Sequence, residues 1–445
     1  MHSEQAHRPP HLHEWPIVGS TFEYNNHRLA FYRRIIHECG GTASLRLGPL
    51  SVMICSSLDA IHDILVAHPE QFGLSNVVKH AFIPLATNGL LTSEGSTYRQ
   101  QRKLMAPSFQ PGTIPGYAQH IATYGEQAQN RWKEHEVINI GEEMTRVSMR
   151  SIGKILFDAD ILDEAADLGT LLQNVLDIIN VRLSYPLPGK LSDLLPGSGA
   201  VRRQEPRLTH LIQDMIEHRR TNTLVNNDLL SALLHAEADG ERMQDQQIQD
   251  EVRTILFAGH ETIAQTLAWA WYLLSRHPEI YTCMQQEIDA SLQGRTPTYA
   301  DLASLPYTLQ VLKETMRLYP SIHAIVRVAR KTTHIGEFYV RKGTTILISP
   351  FVNHHRPDYF PQPERFDPKR FSLEEEKKLP RYAFLPFGAG ARRCVGSHLA
   401  LMEGQLLLAT LAQRVTFALV SQQTEPKPKV TLRPADAIQM VVKRR

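Results

Sequence analysis

A chain of 445 residues can bury a large core, and a composition of 42% hydrophobic and 21% charged residues is that of an ordinary soluble globular protein. The formal net charge of +2 sets aside nucleic acid and anionic membrane as obligatory partners. Four cysteines without a C-x-x-C pair set aside a disulfide framework.

The opening stretch, MHSEQAHRPPHLHEWPIVGS, has neither a basic segment followed by an apolar core nor a spanning helix. It predicts a cytoplasmic protein without a membrane anchor. Residues 1–20 read as an N-terminal tail and entry segment, ahead of a single domain over 21–445; the stretch holding His2, His7, His11 and His13 reads as a mobile, proline-broken tail before it reads as metal capture. LAFYRRIIHECG predicts a helix, and TASLRLGPLSVMICSS, alternating about Gly-Pro, predicts a β-hairpin. From about Thr97 to Arg276 the pattern is mostly helical, with loops such as YPLPGKLSDLLPGSG. Its last part, Asp245 to Arg276, is free of proline and predicts a rod on the order of 45 Å at about 1.5 Å per residue. Ala258 and Gly259 thin the middle of that rod. A helical glycine costs about 1 kcal/mol relative to alanine, so something is expected to approach the backbone there. Strands return in GEFYVRKGTTILIS around Gly343, and VTLRPADAIQMVVKRR predicts two short strands about a turn at Pro434. No repeat or long linker divides the chain, which favours one intertwined α+β unit. Cys39, Cys55 and Cys283 read as small packing side chains.

Several familiar chemistries fail on spacing. GHETIA places His260 and Glu261 side by side on a helix, but Ala264 stands where the second histidine of H-E-x-x-H would bind zinc. Gly388 and Gly390 make a G-x-G, yet Arg393 falls where the third glycine of a dinucleotide fingerprint is needed. No Walker loop and no G-x-S-x-G elbow is present.

One stretch, FLPFGAGARRCVG, is specific. Phe387, Gly390, Arg392, Cys394 and Gly396 fit F-x-x-G-x-R-x-C-x-G, and in this the sequence resembles the cytochrome P-450 family of haem-thiolate monooxygenases, of the soluble bacterial type. The resemblance implies a mostly α fold with minor β, shaped as a triangular prism, with a long central helix over haem b (iron protoporphyrin IX). It implies Cys394 as the axial thiolate, a ligand whose electron donation favours O–O cleavage. Glycine-rich backbone can turn amide N–H groups toward that sulfur, a task suited to Gly388, Gly390 and Gly396. Pro386, Phe387 and Val395 would lie beside the porphyrin, and Arg392 would meet a propionate.

The likeness continues in the family's order along nearly the whole chain. Ala258-Gly259-His260-Glu261-Thr262 is similar to the oxygen-activating A-G-x-(D/E)-T, implying Thr262 as the residue of oxygen activation and Glu261 as its proton-relay partner. Glu314 and Arg317 match E-x-x-R, with Arg365 completing a structural ion-pair network. Arg327 matches a propionate-binding strand arginine. In GSTYRQQR, Arg102 is retained while Tyr98 stands where the family has tryptophan, and its hydroxyl can still donate to a propionate.

Substrate positions implied by the family are Leu91, Ile255 and Ala258, then Ile322, His323, Ala324, Ile325 and Val326, and finally Ala437 and Ile438. They are mainly aliphatic and imply a lipophilic substrate: a fatty acid, a terpenoid or a steroid-like molecule. His323 would orient a polar end of that substrate or bond to backbone. Dioxygen is the co-substrate, and a separate ferredoxin or flavodoxin with its reductase is the expected electron source. A peroxide-using peroxygenase or isomerase, or a non-catalytic haem sensor, would share the cysteine loop but would not require Glu261 and Thr262.

Overall fold

The alternation in TASLRLGPLSVMICSS folds as predicted: Thr42–Leu47 and Leu50–Cys55 pair antiparallel with Leu47 opposite Leu50, and Gly48 turns the chain at φ 56°. The structure, a computed structural model, describes residues 9–83, 87–157, 162–185, 195, 198–221, 228–238, 240–420 and 423–445. Apart from Tyr185, Leu195, Ser198 and Gly199, the predicted loop YPLPGKLSDLLPGSG lies outside the described residues, as do His2 and His7. Two compact units form. One comprises Met1–Lys79, Arg317–Arg365 and Glu376–Cys394, and the other comprises His80–Met316, Phe366–Glu375 and Val395–Arg445.

The first unit is built on a five-stranded sheet in the order Thr42–Leu47, Leu50–Cys55, Thr345–Ile348, Ile325–Ala329, Phe72–Gly73. Thr345–Ile348 runs parallel to Leu50–Cys55 and antiparallel to Ile325–Ala329. The strands around Gly343 therefore exist but do not pair with each other: Phe338–Val340 pairs instead with Thr333–Ile335. The helix predicted in LAFYRRIIHECG spans Arg28–Cys39 and ends at Gly40, whose φ of 62° supplies the left-handed cap that glycine tolerates best. The expectation of a mobile tail is corrected over its described part. Leu12 is buried, its N–H donates to the Ser44 carbonyl, and Ser44 returns a bond to the Pro10 carbonyl, so this segment lies along the sheet edge. Burial pushes the Cys55 thiol up to about 12, as befits a packing cysteine, whereas Cys283 is exposed.

The second unit is mostly helical. Its axis is the helix Asp245–Arg276, with the bounds the proline-free run predicts, buried along most of its length. Trp269 and Trp271 are wholly buried; Trp269 Nε1 donates to the Leu432 carbonyl at 3.0 Å, and Trp271 stacks edge-on against Phe417 with centroids 5.0 Å apart. The two C-terminal strands appear at Leu432–Pro434 and Gln439–Arg444, but not as a pair about Pro434. The first pairs with Pro426–Pro428, and the second lies between Val415–Leu419 and Val137–Asn139. Among the described residues no helix is long and apolar enough to cross a membrane. Mostly helical units with small sheets match the expected α+β class.

Gly259 has a packing reason that the sequence concealed. A Cβ there would lie 2.6 Å from Ile152 Cδ1, on the neighbouring helix Ile140–Phe157. Gly259→Ala is expected to cost about 1–3 kcal/mol by overpacking, against about 1 kcal/mol gained in helix propensity. Ile152→Val removes the nearest atom, so urea unfolding of both single variants and the double should reveal favourable coupling; strict additivity would contradict the contact.

Candidate active site

The cysteine loop is drawn tight by its own backbone. Gly388 N–H donates to the Leu385 carbonyl at 3.3 Å, Arg393 N–H to the Gly390 carbonyl at 3.1 Å and Cys394 N–H to the Phe387 carbonyl at 2.9 Å. Gly388 and Gly390 sit at φ 68° and 69°, where a side chain is strained. Only one of them is also crowded. A Cβ on Gly390 would stand 1.7 Å from the Leu65 carbonyl oxygen, whereas the nearest atom to one on Gly388 is Ile325 Cδ1 at 3.7 Å. The loop thus presses on the turn Asp63–Ala67 and borders the strand Ile325–Ala329. Cys394 is exposed, while Pro386, Phe387, Arg392, Val395 and Gly396 are partly buried around it in sequence. Arg327 projects from the same strand and donates to the Val326 carbonyl at 2.9 Å.

In the second unit the central helix opens at one place. Ala258 is exposed, and Gly259 and Thr262 are partly exposed, in a run otherwise buried from Glu251 to Leu274. Ala258 has open space beside it, whereas Ile152 occupies the space that a Cβ on Gly259 would fill. Thr262 Oγ1 donates to the Ala258 carbonyl at 2.8 Å. His260 is buried and turned to its own helix, with Nδ1 2.7 Å from the Leu256 carbonyl oxygen, and burial holds its pKa below the usual imidazole range. Glu261 is buried too, and its Oε1 receives Thr431 Oγ1 at 2.7 Å, Arg433 Nε at 2.8 Å and Arg433 Nη2 at 2.7 Å. Arg433 Nη1 also donates to Gln173.

The remaining predicted residues divide by unit. Tyr98, buried, and Arg102, partly buried, are four apart on the helix Gly95–Met105 and share a face. Leu91, 37% exposed, follows a segment fastened to the central helix: Leu90 N–H donates to Glu251 Oε2 at 3.0 Å, and Gly89 packs on Thr254 and the Asp250 carbonyl. Ile255 and Ile438 are buried, and Ala437 is exposed. Ile322 is exposed, His323 is buried, and Ala324, Ile325 and Val326 are partly buried along one strand and its approach. The His323 carbonyl accepts from Ser349 Oγ at 2.8 Å.

The expected ion-pair network takes a different form. Arg365 has an exposed guanidinium directed to Gln362, and contributes its carbonyl, which accepts from Arg317 Nη2 at 3.1 Å. Arg370 supplies the cation beside Glu314, at 3.5 Å, and Glu314 Oε1 also accepts the Asp367 N–H at 2.9 Å. An arginine in PERFDP is followed five residues later by a second, and nothing in the spacing tells which one turns inward.

The sequence matches the family model for cytochrome P450 over residues 9–442. The chain belongs to the cytochrome P-450 family. It is 36% identical to cyclooctat-9-en-7-ol 5-monooxygenase of Streptomyces melanosporofaciens over 90% of this chain and 87% of that protein. Pentalenene oxygenase of Streptomyces avermitilis is 31% identical over 89% and 88%. The fold is shared with the retinoic acid-bound cyanobacterial CYP120A1, with a TM-score of 0.88, 24% identity and coverage of 98% and 99%. This P-450 is an oxygen-incorporating oxidoreductase, and its family implies haem held by a cysteine thiolate.

The residues present fit such a group. The P-450 offers an exposed thiol at the end of a glycine-tightened loop and an exposed alanine in an otherwise buried helix. Sequence reading missed Arg433 and Thr431, which hold Glu261, because they stand in and just before a three-residue strand far along the chain whose pattern marks no site.

Two further acids are buried without such partners. Glu251 and Glu403 are both pushed up to about 8, Glu251 by burial and then by neighbouring Asp250 against the opposing Leu90 bond, and Glu403 by burial alone. Each holds its proton in the fold at neutral pH and releases it in the unfolded chain above about 4.5. Their contribution to stability is complete below about 4.5 and is lost as pH rises to about 8. Melting temperature should therefore fall between pH 6 and pH 8.5, and Glu403→Gln should flatten that fall; an unchanged slope would contradict the assignment.

The glycines give a sharper test. Gly388→Ala carries only the left-handed penalty, about 1–2 kcal/mol, whereas Gly390→Ala adds collision with Leu65 backbone. Gly390→Ala should lose haem and thermal stability far more than Gly388→Ala; equal losses would show that conformation alone matters.

Proposed function

We propose that this P-450 inserts one oxygen atom of dioxygen into a C–H or C=C bond of a lipophilic terpenoid. Cys394, an exposed thiol at the end of a loop that its own backbone bonds draw tight, carries the reading. Terpenoid chemistry is supported by relatives named for cyclooctat-9-en-7-ol and pentalenene. The aliphatic run Ile322 to Val326, with Leu91, Ile255, Ala437 and Ile438, suits such a molecule, and His323 is assigned to its polar end or to backbone. Fatty acid and steroid-like molecules are the other lipophilic classes that this lining accepts.

Haem b, when bound, supplies dioxygen reduction and oxygen-atom transfer. Cys394 provides the thiolate. Tyr98, Arg102, Arg327 and Arg392 are assigned to the propionates, where charge-assisted bonds neutralise buried negative charge. Thr262 Oγ1, released from its bond to the Ala258 carbonyl, would pass a proton to dioxygen. Glu261 supplies the relay from Oε2, since Oε1 is committed to Arg433 and Thr431. Electrons come from a separate ferredoxin or flavodoxin with its reductase, in the cytoplasm.

The reduced protein with carbon monoxide should give the thiolate-ligated band, and Cys394→Ser should abolish it; an unaltered spectrum would end the reading. A lipid and terpenoid library screened for shifts of the resting band should then select the terpenoids. Thr262→Ala is expected to cut product at least about tenfold while raising peroxide release per electron consumed. Full coupling in that variant would remove Thr262 from the relay.

A further inference from the structure

The loop assigned to the thiolate is fastened at its start by a residue outside every motif. His354, at the end of the short helix Pro350–His354, is wholly buried. Its Nε2 lies 2.8 Å from the Leu385 amide nitrogen, and its Nδ1 lies 3.2 Å from the Arg317 carbonyl oxygen. Each contact has only one possible direction. A backbone N–H can only donate and a carbonyl can only accept, so Nε2 must present its lone pair and Nδ1 must carry the hydrogen. The ring is therefore the neutral Nδ1–H tautomer; a proton on Nε2 would oppose the Leu385 N–H.

Arg317 returns the contact. Its Nη1 donates to the His354 carbonyl at 2.8 Å, so guanidinium and imidazole each serve the other's backbone. Phe384 and Phe360 flank the ring, with centroids at 5.2 Å and 6.5 Å, and exclude water from both bonds. From Leu385 the constraint passes along the loop: its carbonyl accepts Gly388 N–H, and the Phe387 carbonyl accepts Cys394 N–H.

We propose that His354 is the positioning residue of the cysteine loop, a neutral imidazole that ties the Arg317 backbone to the Leu385 amide and so directs the Cys394 sulfur. The effect on sulfur rests on the reading of Cys394 as the thiolate ligand, while the tie itself does not. An apolar ring of similar size keeps the packing but leaves a buried N–H without an acceptor, and glutamine restores an acceptor oxygen and a donor nitrogen.

The test compares wild type, His354→Phe, His354→Gln and Cys394→Ser as haem-loaded proteins, well below their melting temperatures. Amide hydrogen exchange at Leu385 should accelerate about tenfold in His354→Phe and stay near wild type in His354→Gln. The reduced carbon monoxide spectrum should move from the thiolate to the thiol band in His354→Phe and recover in His354→Gln. Exchange within twofold of wild type in His354→Phe, or faster exchange with an unmoved band, overturns the proposal. Should His354→Phe not fold, nitrogen-15 histidine spectra of the wild-type carbon monoxide complex, assigned by His354→Gln, decide: hydrogen on Nδ1 is expected, and hydrogen on Nε2 overturns the tie. Cys394→Ser should lose the thiolate band with Leu385 exchange unchanged. If it keeps the band, the ligand reading fails separately.

Discussion

A guanidinium with no access to solvent is the constraint on which the first unit is arranged. Arg317 is 0% exposed, and burying such a charge is costly unless its donors are met. Two carbonyls meet them, those of His354 and Arg365, while Phe360 lies against its face at 5.2 Å. The segments that bring those carbonyls are thereby fixed in place. His354, once fixed, turns to Leu385, and the glycine turns carry the chain on to Cys394. A side chain two steps removed from the sulfur thus governs the backbone that presents it.

Three buried acids in the second unit show how placement decides the state of a carboxyl. Glu261 has arginine and threonine donors on one oxygen and is held as half of an ion pair. Glu251 has one backbone donor, and Glu403 has an oxygen without a partner; burial raises both. The ion-paired acid stands next to Thr262, at the open part of the helix, and the two raised by burial stand elsewhere.

Period and punctuation made much of this legible in the sequence. The first hairpin and the central helix follow from alternation, from Gly-Pro and from the distance between prolines, all local signals. Pairing partners were not legible: Phe338–Val340 and Leu432–Pro434 each turn back on the strand just before them, while Thr345–Ile348 and Gln439–Arg444 join the distant Leu50–Cys55 and Val137–Asn139. At the candidate site, spacing singles out Cys394, Thr262 and the two glycines. It does not separate Arg365 from Arg370, or His354 from His355, because adjacent or repeated residue types differ only in which way tertiary contacts turn them. Gly259 carried a true signal, a missing side chain, whose cause was the neighbouring helix.

The bond between Arg433 and Glu261 reaches beyond proton supply. Arg433 lies in the strand Leu432–Pro434, and the turn after it bears Ala437 and Ile438. Under the proposed assignments, with Ala437 and Ile438 lining the substrate and Glu261 supplying the relay, reshaping that turn to admit a different molecule would pull on the partner of the acid beside Thr262, and selectivity and economy of reductant would be mechanically joined.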